Sequence, residues 1–344
     1  MEDGNGPAES LEPRHNLPMR IFLLFICLSA AGLQGEVYYR TFFHKHPVKQ
    51  RIRAGEVVST RTLDSSGKDW EGKQVGDIGN PLTGPFYVEG AEPGDALVIQ
   101  FRKVRLNRDS GYSGYRLGLF AMTPEYIEKT YPPIYKMDLV RKGYAHYVPW
   151  DLDREKGLVR LREPGSKAIF MEFPAKPMLG CVGVAAAGDW APTSGPAGPY
   201  GGNLDYNRIG EGATVLLPVY HPGALLFMGD GHALQGDGEP TGNGVETSMD
   251  VEFSVTVRKN AKLTGPRVET ADAIISIGSQ PEFQSSLDRA LEMATTDMVQ
   301  YLMADYGLEE WAAHLLIAFQ GKYEVVTARG SMALLIPRSA IRKR

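Results

Sequence analysis

The chain has 344 residues, of which 43% are hydrophobic and 23% charged, and its formal net charge is −4. That length can bury a substantial core in one large or two modest domains. The near-neutral balance, with no long block of one sign, excludes the clustered basic face of a nucleic-acid-binding protein.

Met1–Pro18 is polar and irregular. Met19-Arg20 then precedes the apolar run Ile21–Ala31, which ends in Gly32-Leu33-Gln34-Gly35. A short apolar run behind Arg14 and Arg20, closed by small residues, reads as a cleaved leader for export to a periplasmic or secreted location, with Met19 as an alternative start. The run falls short of the ~20 residues that span a bilayer. No stable membrane anchoring is therefore expected after cleavage. The leader holds Cys27, so the mature chain keeps Cys181 alone and forms no internal disulfide.

The mature chain opens on Glu36–Pro47. His44 and His46 share one face if this segment is a strand, which fits an exposed polar strand end more simply than a metal site. Gly55–Leu63 reads as a strand ending at Asp64, and Asp64-Ser65-Ser66-Gly67 is turn chemistry. Phe86–Val88 and Ala96–Phe101 read as strands around the turn Glu92-Pro93-Gly94-Asp95. Glu89 sits where the first of them meets a glycine. Asn107–Pro149, with seven tyrosines, is either an excursion over a site or a surface flap. Trp150–Val159 and Lys167–Phe173 suggest a hairpin in which Ile169, Met171 and Phe173 alternate. Met178–Ala187 is small and apolar, and Gly188–Tyr200 is a Gly/Pro-rich loop.

The most concentrated chemistry lies in Gly201–Glu239, which holds Asn203, Asp205, Asp230, His232, Gln235, Asp237 and Glu239. Two apolar runs, Ala213–Tyr220 and Ala224–Met228, flank His221-Pro222-Gly223, and Pro-Gly favours a turn. An antiparallel hairpin of the two runs would bring the polar ends together at one sheet edge. Met249–Arg258 is an alternating strand with Val251, Phe253, Val255 and Val257 on one face.

Helical spacing is clear only near the C-terminus. It connects Phe283, Leu287, Leu291, Ala294, Met298 and Leu302, with Ser279 as cap, Pro281 in the first turn and Gly307 as stop. Leu308–Phe319 reads as a second helix burying Trp311, Leu315 and Phe319. Tyr323–Thr327 and Ser331–Ile336 read as closing strands. The expected architecture is thus mainly β, sandwich- or barrel-like, over 36–265. A smaller α/β portion, 266–344, packs on it.

Common catalytic motifs are missing: no Gly-x-Ser-x-Gly, no His-Glu-x-x-His, no Walker loop and no Cys-x-x-Cys. Cys181 lies among small apolar residues, so a packed thiol is the simpler reading. The remaining cluster, a histidine among carboxylates, has the chemistry of a hydrolytic Zn²⁺ site. By spacing alone, Asp230-x-His232 with Asp237-x-Glu239 is equally a polar glycine-rich loop.

Particular motifs add to this. Gly79-Asn80-Pro81-Leu82-Thr83-Gly84-Pro85 leads into Val88-Glu89-Gly90-Ala91-Glu92-Pro93-Gly94-Asp95. Further on come Gly201-Gly202-Asn203-Leu204-Asp205, Leu217-Pro218-Val219 and Gly229-Asp230-Gly231-His232-Ala233 with Gln235-Gly236-Asp237-Gly238-Glu239. Together these resemble the acetamidase/formamidase family from about Gly55 onward. The resemblance implies a mainly β fold and hydrolysis of short amides to ammonia and a carboxylate. It also implies a divalent metal, zinc by the chemistry above, with calcium as a second, structural ion. Glu89, Asn203, Asp205, Asp230, His232 and Glu239 carry over by motif, and Asp64 after Arg61-Thr62-Leu63 also matches. The chain departs from the family at Tyr200, before Gly-Gly-Asn, and at Val184-Ala185-Ala186, which puts the particular amide in question.

The resulting expectation is a metal held by His232 with Asp205, Asp230 or Asp64, and Glu89 or Glu239 as general base. Asn203 or Gln235 would orient substrate or stabilise the oxyanion. The expected partner is a small amide, and the protein is expected to be a homo-oligomer. A lactam or longer-amide hydrolase, and a non-catalytic metal- or sugar-binding β module, are the competing readings.

Overall fold

The computed structural model describes residues 36–114, 116–130, 147–162, 167–281 and 286–341. The leader expected over 1–35 lies outside these residues, as do Tyr115, Tyr131, Tyr135 and Tyr144 of the tyrosine-rich excursion and Phe283 of the expected helix.

Two large sheets carry the fold. The first runs in spatial order Ala197–Gly198, Gly201–Asn203, Met178–Val184, Leu226–His232, Glu246–Thr247, Ser110–Gly114, Tyr147–Asp153, Leu158–Arg162 and Ile169–Pro174. Leu82–Val88 also pairs with Leu226–His232, and Gln50–Ile52 runs parallel to it. The second sheet runs Lys322–Thr327, Ser331–Pro337, Ala273–Ser279, Arg267–Glu269, Thr214–Pro218, Ala96–Leu106, Met249–Arg258 and Val57–Arg61. Its pairings are all antiparallel.

Burial of the facing sides drives the stack. Phe86 and Phe227 of the first sheet share one core with Phe101, Val251, Phe253 and Val255 of the second. The Phe86 and Phe253 rings meet edge to face at 5.3 Å, as expected of two sheets interdigitating their inner faces. The alternation predicted for Met249–Arg258 is what delivers Val251, Phe253 and Val255 to that core. The second sheet's other face turns Ile274, Leu334 and Ile336 onto Met298, Tyr301 and Leu302 of the helix Leu287–Tyr306. The architecture is therefore mainly β with a small helical portion near the C-terminus, as expected.

Three details differ from the sequence reading. The two apolar runs of the central block do not form a hairpin. Thr214–Pro218 pairs with Ala96–Leu106 and Arg267–Glu269 in one sheet, and Leu226–His232 with Met178–Val184 in the other. The turn between them crosses from sheet to sheet through Ala224 (φ 57°) and Leu225 (φ 59°). Both runs are almost wholly buried, so no polar face marks which partner each must take.

The long helix is capped by Ser286, whose side chain accepts from Arg289 N–H, and ends at Gly307 in the left-handed region (φ 64°). Gly307 stops it as predicted, but Ser279 is instead the last residue of a strand, bonded to Ser331 Oγ at 2.9 Å.

Finally, the helix Glu310–Gln320 buries Ala313 and Ile317, while Trp311 is 67% and Phe319 77% exposed. Two residues on from Trp311 and Leu315 is about 200° around the helix, so the side facing the sheet is opposite the bulky stripe. In the same way Ile169, Met171 and Phe173 alternate on an edge strand without being buried.

Candidate metal centre and cleft

The site is assembled across the strand Met178–Val184. On one edge Asn203 pairs opposite Cys181, and on the other Gly229 pairs opposite the same Cys181. The Gly-Gly-Asn and Gly-Asp-Gly-His segments thus converge from two sides of a middle strand, where the sequence reading had them as two arms of a hairpin. Gly180, in the middle strand, leaves the room they need. A Cβ there would lie 2.4 Å from Asp205 Oδ1 and 2.7 Å from Asp230 Oδ2. Asp205, Asp230 and Glu239 all have left-handed backbone (φ 47°, 55° and 44°). Three such non-glycine residues at one place are strained conformations of the kind that gather at functional sites.

Asp205, Asp230, His232, Glu239 and Glu246 are buried together. They form two ligand triads, Asp205/Asp230/His232 and His232/Glu239/Glu246, whose donor atoms lie within 4.8 Å of one another. His232 Nδ1 lies 2.7 Å from Gln235 Oε1, and Gln235 Nε2 donates to the Asp205 carbonyl at 2.6 Å. That second bond fixes the amide so that Oε1 accepts from Nδ1–H, and Nε2 is turned toward the carboxylates. Nε2 is 3.1 Å from Glu246 Oε1 and 3.6 Å from Asp230 Oδ1. Yet His232 Nε2, Asp205 Oδ1, Asp230 Oδ1 and Glu246 Oε2 are buried without a hydrogen-bond partner. Buried polar atoms are rarely left so. Four such atoms, all oxygen or imidazole nitrogen, on residues of two triads that share His232 have the donor chemistry of a divalent cation site. The cluster can therefore hold a metal ion.

Around it the carboxylates are tied down. Asn203 Nδ2 donates to Asp205 Oδ2 at 2.5 Å, and Asn80 Nδ2 reaches Asp230 Oδ2 and Asn203 Oδ1, each at 3.2 Å. The Cys181 thiol donates to Asn203 Oδ1 at 2.7 Å. Burial, then the charges of Asp230 and Asp205, hold its pKa well above the usual thiol range, so Cys181 stays a packed thiol.

Without a cation Asp205, Glu239 and Glu246 resist ionisation. Burial, then the charges of Glu239 and Asp230, push Asp205 well up. Burial pushes Glu239 up to about 7 and Glu246 up to about 8, each against the opposing pull of His232. Burial alone would lower His232, but the Glu246 and Asp230 charges raise it well above its ordinary value. The site thus holds protons that a cation would displace.

A cleft of about 30 Å³ adjoins the cluster, lined by Asn203, Asp205, Glu239, Gln280, Thr327 and Arg329 among others. The C-terminal strands form one wall: Thr327 bridges to Gly238, and Ala328 N–H donates to Gly238 O at 2.8 Å. The tyrosine-rich excursion reaches the same loop. Gly118 N–H donates to Pro240 O at 2.6 Å, and Phe120 underlies Arg329.

Of the residues singled out from sequence, Asn203, Asp205, Asp230, His232, Gln235 and Glu239 meet here. Asp64 and Glu89 do not join either triad. Asp64 is buried in the turn after Val57–Arg61, accepting from Ser66 N–H, Ser66 Oγ and Lys68 N–H on Oδ1 and pairing with Arg108 on Oδ2 at 2.6 Å. Its lone pairs are taken up by that turn and ion pair. Glu89 follows the far end of Leu82–Val88, seven residues beyond Leu82, which pairs with Gly229. At 3.3 Å per residue that is roughly 20 Å from the cluster. It sits half-exposed, 3.8 Å from Arg53. His44 stacks on His221 at 4.2 Å and His46 on Tyr39 at 3.9 Å, both away from the cluster. Glu246 and Asn80 were missed. Glu246 belongs to a two-residue strand with no motif around it, and its one sequence signal is a carboxylate in the run Val245–Met249, which the fold buries.

The acetamidase/formamidase family model matches residues 153–323, which include Asp205, Asp230, His232, Gln235, Glu239 and Glu246. Over that segment the chain is similar to the acetamidase/formamidase family. Crystal structures of acetamidases from Bacillus halodurans and Yersinia enterocolitica share its fold. The first has 25% identity and a TM-score of 0.69, covering 88% of this chain and 95% of that one. The second has 26% identity and a TM-score of 0.71, covering 89% and 90%. A formamidase of Methylophilus methylotrophus is 29% identical over 224 residues, 50% of this chain and 53% of that one. The alignments to curated relatives span 53% to 62% of those proteins' lengths.

Proposed function

We propose that this protein hydrolyses short linear amides of formamide or acetamide size, releasing ammonia and a carboxylate, at a divalent metal centre of Asp205, Asp230 and His232. The observation that carries this reading is a buried triad, Asp205, Asp230 and His232, each with an unpartnered donor atom, beside a cleft of about 30 Å³. Zinc is the ion we favour, since an imidazole with carboxylates suits it. Bound there, such an ion supplies a Lewis acid at the amide.

The chain's own residues supply the rest. Glu239 belongs both to the cluster and to the cleft wall, so it is the carboxylate placed to take a proton from attacking water and return it to the departing nitrogen. Gln235 holds the His232 tautomer, and Asn203 and Asn80 hold the Asp205 and Asp230 carboxylates. Glu246 Oε1 lies 3.1 Å from His232 Nε2.

The cleft's size favours a small substrate. On this measure a water-sized group needs about 10–15 Å³, so the enclosed part of the site admits two or three such groups. Ammonia release should therefore be fastest with formamide or acetamide and fall as the acyl chain lengthens to butyramide. Ring opening of a γ-lactam, followed separately, should be slower still. Preference for butyramide or the lactam would overturn the short-amide reading, and no turnover of any amide by metal-loaded protein would favour the binding-module reading.

A further inference from the structure

Among the described residues lining the cleft, Arg329 is the one cation. It lies outside the segment 153–323, on the turn between the last two strands, and its position is well fixed. Gly330 N–H donates to Thr327 O at 3.1 Å, while Ala328 N–H and Thr327 anchor the turn to Gly238. The Arg329 guanidinium sits 4.8 Å over the Phe120 ring. Against Gly242 it packs so closely that an added Cβ would be 2.5 Å from Nη2. Gly242 N–H in turn donates to Glu239 O at 2.8 Å. The same short loop therefore carries the base and seats the arginine.

Charge gives this placement a purpose. Asp205, Asp230, Glu239 and Glu246 crowd four carboxylates around one histidine, and a divalent ion offsets only half of that charge. Attack on an amide adds another negative charge, on the former carbonyl oxygen, next to them. A guanidinium seated in the cleft lining carries five N–H donors and a fixed positive charge, and such a group placed where charge develops stabilises it without reorganisation.

Resting on the amide-hydrolase reading above, we propose that Arg329 is a catalytic residue whose guanidinium donates to the amide carbonyl oxygen and stabilises the oxyanion. Water adds to the carbonyl carbon, its proton passes to Glu239, and the C=O π pair moves to the oxygen facing Arg329. The pair returns as the C–N bond breaks, and Glu239 gives its proton to the leaving nitrogen. The products are ammonia and a carboxylic acid, which ionises. Arg329 keeps its protons throughout.

The test uses full-length, metal-loaded wild type, Arg329→Ala and Arg329→Lys. With acetamide, Arg329→Ala should lose on the order of 10²–10³ in kcat, with a much smaller change in KM, as loss of one oxyanion donor does. Arg329→Lys should retain an intermediate rate, and millimolar guanidinium should restore part of the activity of the alanine variant. Acetate, an anionic product whose carboxylate oxygen would face the same guanidinium, should bind wild type more tightly than Arg329→Ala by calorimetry. A kcat within a few-fold of wild type would overturn the proposal, and so would a loss that guanidinium does not restore and that accompanies a lowered Tm. If wild type hydrolyses no amide, the hydrolase reading fails by itself. The acetate comparison then still decides Arg329, with equal binding to both proteins counting against it.

Discussion

His232→Ala should purify with little divalent metal and should release ammonia from acetamide far more slowly than wild type. His232 is the only nitrogen donor in either triad and belongs to both, so its removal breaks the two ligand sets at once. The loss should exceed the roughly 10–100-fold that removal of an outer partner such as Gln235 costs a metal site. The fold should survive, because the core built on Phe86, Phe101, Phe227 and Phe253 is a separate apolar cluster. Metal analysis, circular dichroism and ammonia release on the same preparation give the three readings together. A folded His232→Ala protein with full metal content and full activity would remove the imidazole from the centre.

Glu239→Gln should part metal from turnover. Asp205, Asp230 and His232 remain, so metal is retained, but glutamine cannot accept a proton, and kcat should fall by about 10²–10⁴-fold. Wild-type kcat should rise with pH along a limb at or below about 7, the value to which burial pushes Glu239 in the metal-free site, because a bound cation favours the ionised form. That limb should vanish from the residual activity of the variant. The metal-free protein should show the linked effect on stability. Glu239 has an ordinary value of 4.5 and a folded value of about 7, so between those values the folded state holds a proton the unfolded state has released. Stability then falls as pH rises through that window and levels off above it. Thermal melts of metal-free wild type should show this slope, and Glu239→Gln should show less of it. An unchanged kcat in Glu239→Gln would return the base role to another carboxylate, Glu246 being the nearest.

How much of this could be read from the sequence depends on how local each feature is. Val251, Phe253 and Val255 announce their strand because one face of it is buried and the other is not. Gly307 announces a helix end because only a residue at ease with φ near 64° fits there. The polar residues of Gly201–Glu239 were legible as a site because several fall within one short stretch. Their route to each other was not, because the middle strand Met178–Val184 is uniformly small and apolar and carries no mark of its neighbours. Asp64 matched a motif, yet its carboxylate is engaged by Arg108, 44 residues on, a pairing no local pattern encodes. Trp311 and Phe319 looked like core by size, whereas Ala313 gives the closer approach to the sheet. Glu246 joined the cluster only through strand pairing with His232.

The central claim is that the buried Asp205/Asp230/His232 cluster binds a divalent cation on which amide hydrolysis depends. Its most direct test is on wild type. Metal content by elemental analysis and ammonia release from acetamide are measured before and after exhaustive chelation, and again after Zn²⁺ is restored at pH 8, where Glu239 has released most of its proton and Glu246 about half. The expected result is about one ion per chain for this closely spaced donor set, loss of ion and activity together, and their joint recovery. Full amide turnover by a chain stripped of metal would contradict it.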